Sequence, residues 1–208
     1  AATDEAFIGD VLRSGDEGYL DDDGHLVVVD RSKNVATLTS NERFSPTFIE
    51  NKMKFSSYVR EAVCFGDARD FPVLLINIDG EVVGKWAENQ RIPYTTYTDL
   101  SQRPEVIDLI REETARVNSE MPAFMRVPRL AILHKELDAD DAEMTRTRKV
   151  RRAQVEQNYA FIIDGLYSDR TEVDVDAEVT YRDGRKARIN TKLTLVDVPV
   201  ESVQGVRA

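Results

Sequence analysis

Between Arg146 and Arg152 the chain reads RTRKVRR, five cations in seven positions of a protein whose formal net charge is -10. Positive charge gathered in this way suits phosphate. It can grip a nucleic acid, face solvent as the first turn of a helix, or carry one cation to a phosphorylated reaction centre. A second set of chemistry-bearing residues lies near the start, in SGDEG at 14–18 and DRSK at 30–33, where a carboxylate and a guanidinium offer paired acceptors and donors. The acidic DDDG at 21–24 has the composition of a calcium loop. Calcium loops need oxygen ligands at alternating positions, and those after Asp23 are His25 and Val27, so a polar turn is expected instead.

The rest of the inventory excludes several chemistries. Cys64 is the only cysteine, which rules out an internal disulfide and any multi-cysteine zinc site. His25 and His134 stand far apart, without acidic companions at ligand spacing, so no metal bound by His or Cys is expected. An isoelectric point near 4.8 opposes long-range attraction to nucleic acid, although a basic patch still acts within a Debye length of ~8–10 Å. Hydrophobic residues at 41% and charged residues at 32% are ordinary for a globular chain. No stretch approaches the ~18 apolar residues that cross a bilayer, and AATDEAF has neither the basic nor the apolar region of a secretion signal; the expected location is the cytoplasm.

The elements that must position these residues follow from patterning. GDVLRSGDEGYLDDDGHLVVVDR predicts short strands joined by tight turns, with a buried strand over 26–29. Ser45-Pro46 is an N-cap and first-turn pair for a helix reaching about Ser56, with Phe48, Ile49, Met53 and Phe55 on its apolar face. REAVCFG at 60–66 and the continuous apolar run at 72–79 predict strands, the second covered on both faces. EVVGKWAENQ predicts a short helix, and Pro104 opens a longer one with Val106, Ile110, Thr114 and Val117 on one side, ending near Pro122. RLAILH at 129–134 is a third strand, LDADDAEMT an acidic loop, and VRRAQVEQNYAFIIDGLY a last helix. Residues 172–198 then alternate with period two around Asp183-Gly184, the signature of a hairpin with a type I′ turn, expected as an appendage over 170–199 before a frayed end.

SGDEGYLDDDGHLVVVDRSKN and NERFSPTFIENKMKFSSYVREAVCFGD, followed by RVNSEMPAFMRVPRLAILHKEL and AEMTRTRKVRR, resemble the hinge and C-terminal small domain of AMP-forming acyl-CoA synthetases, nearest the long-chain fatty acyl branch. The resemblance covers roughly residues 9–168. It implies an α/β (α+β) fold, a small mixed sheet flanked by helices, with an N-terminal hairpin remnant and a C-terminal hairpin appendage. The implied division is 1–32 for the end of a large N-terminal domain and hinge approach, 33–168 for the small lid domain, and 169–208 for the extension and tail.

The implied activity is a two-step ligation. A carboxylate, here a fatty acid, attacks the α-phosphate of ATP to give an acyl-adenylate and pyrophosphate, and the thiol of coenzyme A (CoA) then displaces AMP. Magnesium accompanies ATP on the large domain, which also holds the phosphate loop and acyl pocket. By the same resemblance, Lys149 is the catalytic lysine of adenylation, Asp16 accepts from the ribose hydroxyls, Arg31 adds donors to the ribose edge, Lys33 is the hinge, and Ser40-Asn41 belong to the loop lining the CoA channel during thioester formation. Without the resemblance, SGDEG is a polar turn, Arg31 a surface partner of Asp30, and Lys33 a solvated loop residue.

Two departures from the family pattern stand out. Arg146 and Arg148 replace a proline and a leucine, making the loop more basic, and the glycine pair usual near 40–41 is absent. Two other uses of the chain stay open at this point. One is an autonomous module that pairs through the C-terminal hairpin; the other, a nucleic-acid domain using Arg146–Arg152, is disfavoured because aromatic interleaving and a known binding motif are missing.

Overall fold

The computed structural model describes residues 7–8, 11–12, 14–20, 22–180 and 186–200. The chain opens with two ribbons, Phe7–Ile8 (β1) with Val11–Leu12 (β2), and Asp16–Leu20 (β3) with Leu26–Arg31 (β4). The second ribbon shifts register between Glu17 and Gly18, where a Cβ on Gly18 would lie 2.4 Å from the Val27 carbonyl oxygen. Only glycine allows that approach. A 3₁₀ turn, Ser32–Asn34, leads to the short pair Ala36–Thr37 (β5) and Arg43–Phe44 (β6) and then to helix α1, Pro46–Lys54. Strands β7 (Val59–Phe65) and β8 (Val73–Ile78) follow, then helices α2 (Gly80–Asn89), α3 (Tyr97–Ser101) and α4 (Pro104–Ser119), and strand β9 (Arg129–Ile132). The chain closes with α5 (Arg152–Asn158), α6 (Ala160–Leu166), β10 (Glu172–Thr180) and β11 (Lys186–Asp197).

The main sheet has the order β10-β11-β9-β8-β7, antiparallel except where β8 runs parallel to β9. It is a mixed sheet with a separate core on each face. Leu74, Ile76 and Ile78 of β8 point to a core shared with α1, α2 and α4, while Val73 and Leu75 point to one shared with α5 and α6. All six residues of β8 are buried, as expected of a strand covered twice. The helix starts obey capping chemistry. Ser45 Oγ accepts from the Phe48 amide at 3.0 Å, and Asp79 Oδ1 accepts from the Glu81 and Val82 amides at 3.1 and 3.0 Å.

Three side-chain amides, two of them buried, replace missing backbone partners. Asn118 brackets Val127, donating to its carbonyl and accepting from its amide, both at 2.8 Å. Asn77 holds the chain leaving β9 through the Lys135 carbonyl at 2.7 Å and the Leu137 amide at 2.9 Å. The β9–β11 ladder runs only from Arg129↔Asp197 to Ala131↔Leu195. Beyond it, Gln102 donates to the Ile132 carbonyl at 3.0 Å and accepts from the Thr194 amide at 2.9 Å, continuing the ladder with a side chain.

Several expectations need correcting. The strand expected to be buried at 26–29 is present as part of β4, but Leu26 and Val28 are 69% and 57% exposed, because no second layer covers this ribbon among the described residues. Of the apolar face expected for α1 only Ile49 and Met53 are buried, Phe48 is 44% exposed, and Phe55 is 83% exposed just past the helix end. The last helix is two, broken at Tyr159, whose ring turns onto His134 with centroids 6.5 Å apart. The hairpin expected as an appendage is woven into the sheet: Val173, Val175, Leu193 and Leu195 enter the second core. It docks because α6 carries Gly165, where a Cβ would already meet Leu195 and Val173 at 3.0 Å. Arg129 reinforces the joint, donating to the Leu166 and Arg170 carbonyls at 3.0 and 2.6 Å and to Asp197 at 2.7 Å. The Asp183-Gly184 turn and the chain after residue 200 lie outside the described residues.

Candidate active site

The basic segment folds as a tight turn on a braced base. Met144 and Val150 face each other as an antiparallel bridge, and the Thr145 amide donates to the Lys149 carbonyl at 2.8 Å. Thr145 Oγ1 accepts from the Lys149 amide at 3.0 Å, and the Arg148 amide donates to the Thr145 carbonyl at 2.9 Å. Closing so short a loop forces Arg148 to φ 58°, in the left-handed region that glycine and asparagine adopt more readily. Beneath the turn, Glu143 is 1% exposed. Its carboxylate accepts from Lys135 at 3.3 Å, from the Asp138 amide at 3.2 Å and from Asn158 at 3.1 Å, while its carbonyl accepts from the Arg151 amide at 2.8 Å. These bonds neutralise a buried charge and tie the acidic loop to the start of α5.

The five cations separate into two uses. Arg146, Arg148, Lys149 and Arg151 are exposed, and no described residue pairs with the Lys149 ammonium. Arg152 turns inward onto Glu50, whose Oε1 also accepts from the Cys64 amide at 2.8 Å. A lysine held on a rigid turn with its amine unspent is a mobile point charge that can reach a phosphate on another body. Burial, opposed only by Arg152, pushes the Cys64 thiol up and leaves it inert.

Asp16 and Arg31 face each other across the β3–β4 ribbon, joined Nε to Oδ1 at 3.1 Å, with Arg31 also donating to the Ser14 carbonyl at 3.0 Å. Arg31 thus pairs with Asp16 rather than Asp30. Asp30 has another task, which the sequence reading missed: it accepts from the Arg31 amide at 2.7 Å, from Asn34 at 3.2 Å, and from the Ser45 hydroxyl. Partial burial opposes its charge, but these bonds and one from Thr47 win and hold its carboxyl below the ordinary range. Lys33 lies in the 3₁₀ turn between Asp30 and Ser45, exposed, on the rim of a cavity of about 230 Å³ that reaches Cys64, Arg69, Arg152 and Tyr167.

Ser40 and Asn41 form the exposed turn between β5 and β6, with Asn41 at φ 72°. Asparagine here supplies the left-handed geometry that a glycine would otherwise provide. The turn leans on the loop after β7, with Thr39 donating to Asp70 at 2.6 Å. The 145–149 turn is braced instead on the loop after β9, and the sheet topology opens those two loops at opposite ends. Lys149 and Ser40-Asn41 are therefore anchored on different ends of the sheet. Asp16 and Arg31 come together with each other, and neither bonds to Lys149. Glu143 and Asp30 carry no sequence signal beyond being acids beside a motif.

Known proteins resemble this chain in sequence and in fold. The family described as "AMP-binding enzyme C-terminal domain" matches residues 33–171, more than half of the chain. Long-chain-fatty-acid--CoA ligase FadD15 of Mycobacterium tuberculosis is 29% identical over 168 residues, 80% of this chain and 28% of that protein. Long-chain-fatty-acid--CoA ligase 1 of Cavia porcellus is 30% identical over 161 residues, 76% of this chain and 23% of that protein. Among solved structures, the adenylation domain of a carboxylate reductase from Mycobacterium chelonae matches 81% of this chain and 25% of its own, with a TM-score of 0.61 at 20% identity, a likeness of fold. The chain spans about a quarter of the length of the curated relatives it matches. With the two-core sheet, the braced basic turn and the match over 33–171, the chain belongs to the family of AMP-binding enzyme C-terminal domains.

Proposed function

We propose that this chain is the lid and hinge region of an ATP-dependent, AMP-forming acyl-CoA ligase acting on fatty acids, in the cytoplasm. In the first step a carboxylate oxygen bonds to the α-phosphorus of ATP as the bond to the leaving pyrophosphate breaks. Negative charge grows on both phosphate groups, and Lys149, brought from the lid, meets it as a positioned cation. Asp16 accepts from the ribose hydroxyls with Arg31 beside it, and rotation about Lys33 exchanges the Lys149 end of the sheet for the Ser40-Asn41 end, past which the CoA thiol attacks the acyl carbon and releases AMP. The observation that carries this reading is the exposed amine of Lys149, without a partner among the described residues, on a turn braced by buried Glu143.

Magnesium fits the phosphates and the large domain rather than this chain: among the described residues no group of three or more His, Cys, Asp or Glu is placed to hold a metal ion. No helix among them is long and apolar enough to cross a membrane. The exposed Leu20, Leu26 and Val28 make the face the large domain would cover. Alone, the chain is expected to release no pyrophosphate with fatty acids and to bind ATP weakly. In a ligase that includes the large domain, Lys149→Ala should slow adenylate formation by about 10²–10³. Thioester formation from synthetic acyl-adenylate should stay near its normal rate. Equal loss of both steps, or of neither, would overturn the assignment.

A second reading, pairing with another chain, has one observation behind it. Among the described residues strand β10 pairs only with β11, which leaves its outer edge open there. Association of the chain that vanishes when 170–199 are deleted, with the remainder still folded, would favour it.

A further inference from the structure

Arg152 stands where a cation is out of place. It is the first residue of α5, whose opening turn holds no acid, and a positive charge at a helix start opposes the peptide dipoles. Its neighbours Arg146, Arg148, Lys149 and Arg151 stay exposed, but the Arg152 guanidinium leaves the turn for the carboxylate of Glu50 on α1, 102 residues back in the chain. No second acid holds it among the described residues. Glu156, one turn further along α5 and on the same cavity wall, forms no ion pair with it, and its Nε has no partner. Glu50 is 9% exposed and uses the same oxygen, Oε1, to accept from the Cys64 amide of β7. Charges enclosed to this degree are held by their partners, so each of the two groups depends on the other.

The pair lies between two parts that the proposed reaction must keep in register. On one side, the rungs of the Lys149 turn join Thr145 to Lys149, Met144 to Val150 and Glu143 to Arg151, and end one residue before Arg152. On the other, α1 begins at Ser45, whose hydroxyl also donates to Asp30, three residues before Lys33. Arg152 and Lys33 line one cavity of about 230 Å³. Glu143 and its bonds fix the shape of the turn. The Arg152–Glu50 pair fixes where that shape sits relative to the helix at the hinge.

We propose that Arg152 is a positioning residue for adenylation, tied through Glu50 to the hinge helix so that the Lys149 ammonium arrives at the phosphates in one fixed place. This role rests on the ligase reading. The guanidinium itself stays against Glu50 and touches no substrate; it acts through the turn that it anchors. A displacement of about 1 Å at a reacting group can cost ~10²-fold in rate, so such a tie has a kinetic signature.

Glu50→Gln keeps the volume and an acceptor for the Cys64 amide but removes the charge that holds Arg152, Arg152→Gln removes the cation, and Arg152→Lys restores it. In the whole chain, hydrogen exchange at the Thr145 and Arg151 amides should quicken about tenfold in either Gln variant. The double variant should add nothing further, and Arg152→Lys should stay near the original rate. In a ligase that includes the large domain, either Gln variant should lower kcat for adenylate formation by about 10–10²-fold with KM for ATP unchanged. Thioester formation from synthetic acyl-adenylate should keep its normal rate. The Arg152 side chain is 31% exposed, so its variants carry both measurements where Glu50→Gln does not fold. Unchanged exchange in the Gln variants would overturn the tie whatever the ligase does. Equal loss of both half-reactions would mean that Arg152 only holds the fold, and would overturn the positioning role. If exchange quickens while Lys149→Ala leaves adenylation unslowed, the ligase reading has failed, and the positioning role falls with it.

Discussion

Two of the chain's hairpins meet opposite fates. The β3–β4 ribbon leaves Leu20, Leu26 and Val28 in solvent, whereas β10–β11 sends Val173, Val175, Leu193 and Leu195 into a core. Apolar content alone does not decide between them, since the continuous run LVVV of β4 is the one left in solvent. The difference lies in what receives the apolar face. The C-terminal hairpin finds an unpaired strand edge in β9, a helix thinned by Gly165, and Arg129 and Gln102 to complete the joint. Among the described residues the N-terminal ribbon meets the rest of the fold through polar bonds instead, Arg43 to Glu17 at 2.6 Å and Ser45 to Asp30.

The strongest way to break this contrast is to place a charge on each hairpin in turn. Leu193→Asp should cost about 4 kcal/mol or more, since Leu193 is fully buried, and urea melts would show it as a lowered midpoint or no folded protein. Acid should sharpen the contrast in two stages. The folded state holds His134 at about 4 against an ordinary 6.5, so between those values the unfolded chain binds the extra proton and stability falls as pH falls, by about 3 kcal/mol in all. Asp30 has the depressed carboxyl, so its contribution is full above its ordinary 3.8 and is lost only below that. Melting followed from pH 7 to 3 should therefore loosen the His134 end before the hinge, and His134→Gln should flatten the first stage alone.

Smaller effects probe the joint itself. Gln102→Leu keeps the volume but leaves the Ile132 carbonyl and Thr194 amide without partners, an expected loss of about 2 kcal/mol with faster amide exchange at Thr194. On the other hairpin, Leu26→Thr with Val28→Thr should change stability by no more than about 0.5 kcal/mol in this chain. A large loss there would mean that the face is already buried.

The parts of the fold legible in the sequence were those settled by local chemistry. Ser45-Pro46 announces α1 because its cap is made within three residues, and the apolar run at 73–78 announces a doubly covered strand because both of its faces need the same residues. At Ser40-Asn41 the missing glycine pair gave no such signal, and the structure shows Asn41 taking the left-handed geometry at φ 72°. Gln102, Asn77 and Asn118 were not legible, because a side-chain amide standing in for a strand is a polar residue like any other until its distant partners are placed. In the candidate site the sequence marks Lys149 through its motif but not Glu143 below it, which looks like one more acid of a solvated loop and is almost wholly enclosed. The break at Tyr159 was hidden for the same reason: His134, on which its ring rests, is 25 residues away in the sequence.

The bond between Asp30 and Ser45 spans the residue about which the lid is proposed to turn. On that proposal a swing of the lid would separate them, and the hydroxyl that caps α1 would double as a catch on the resting orientation. Protonation of Asp30 would slacken such a catch, easing the proposed swing in the same acid that weakens the fold.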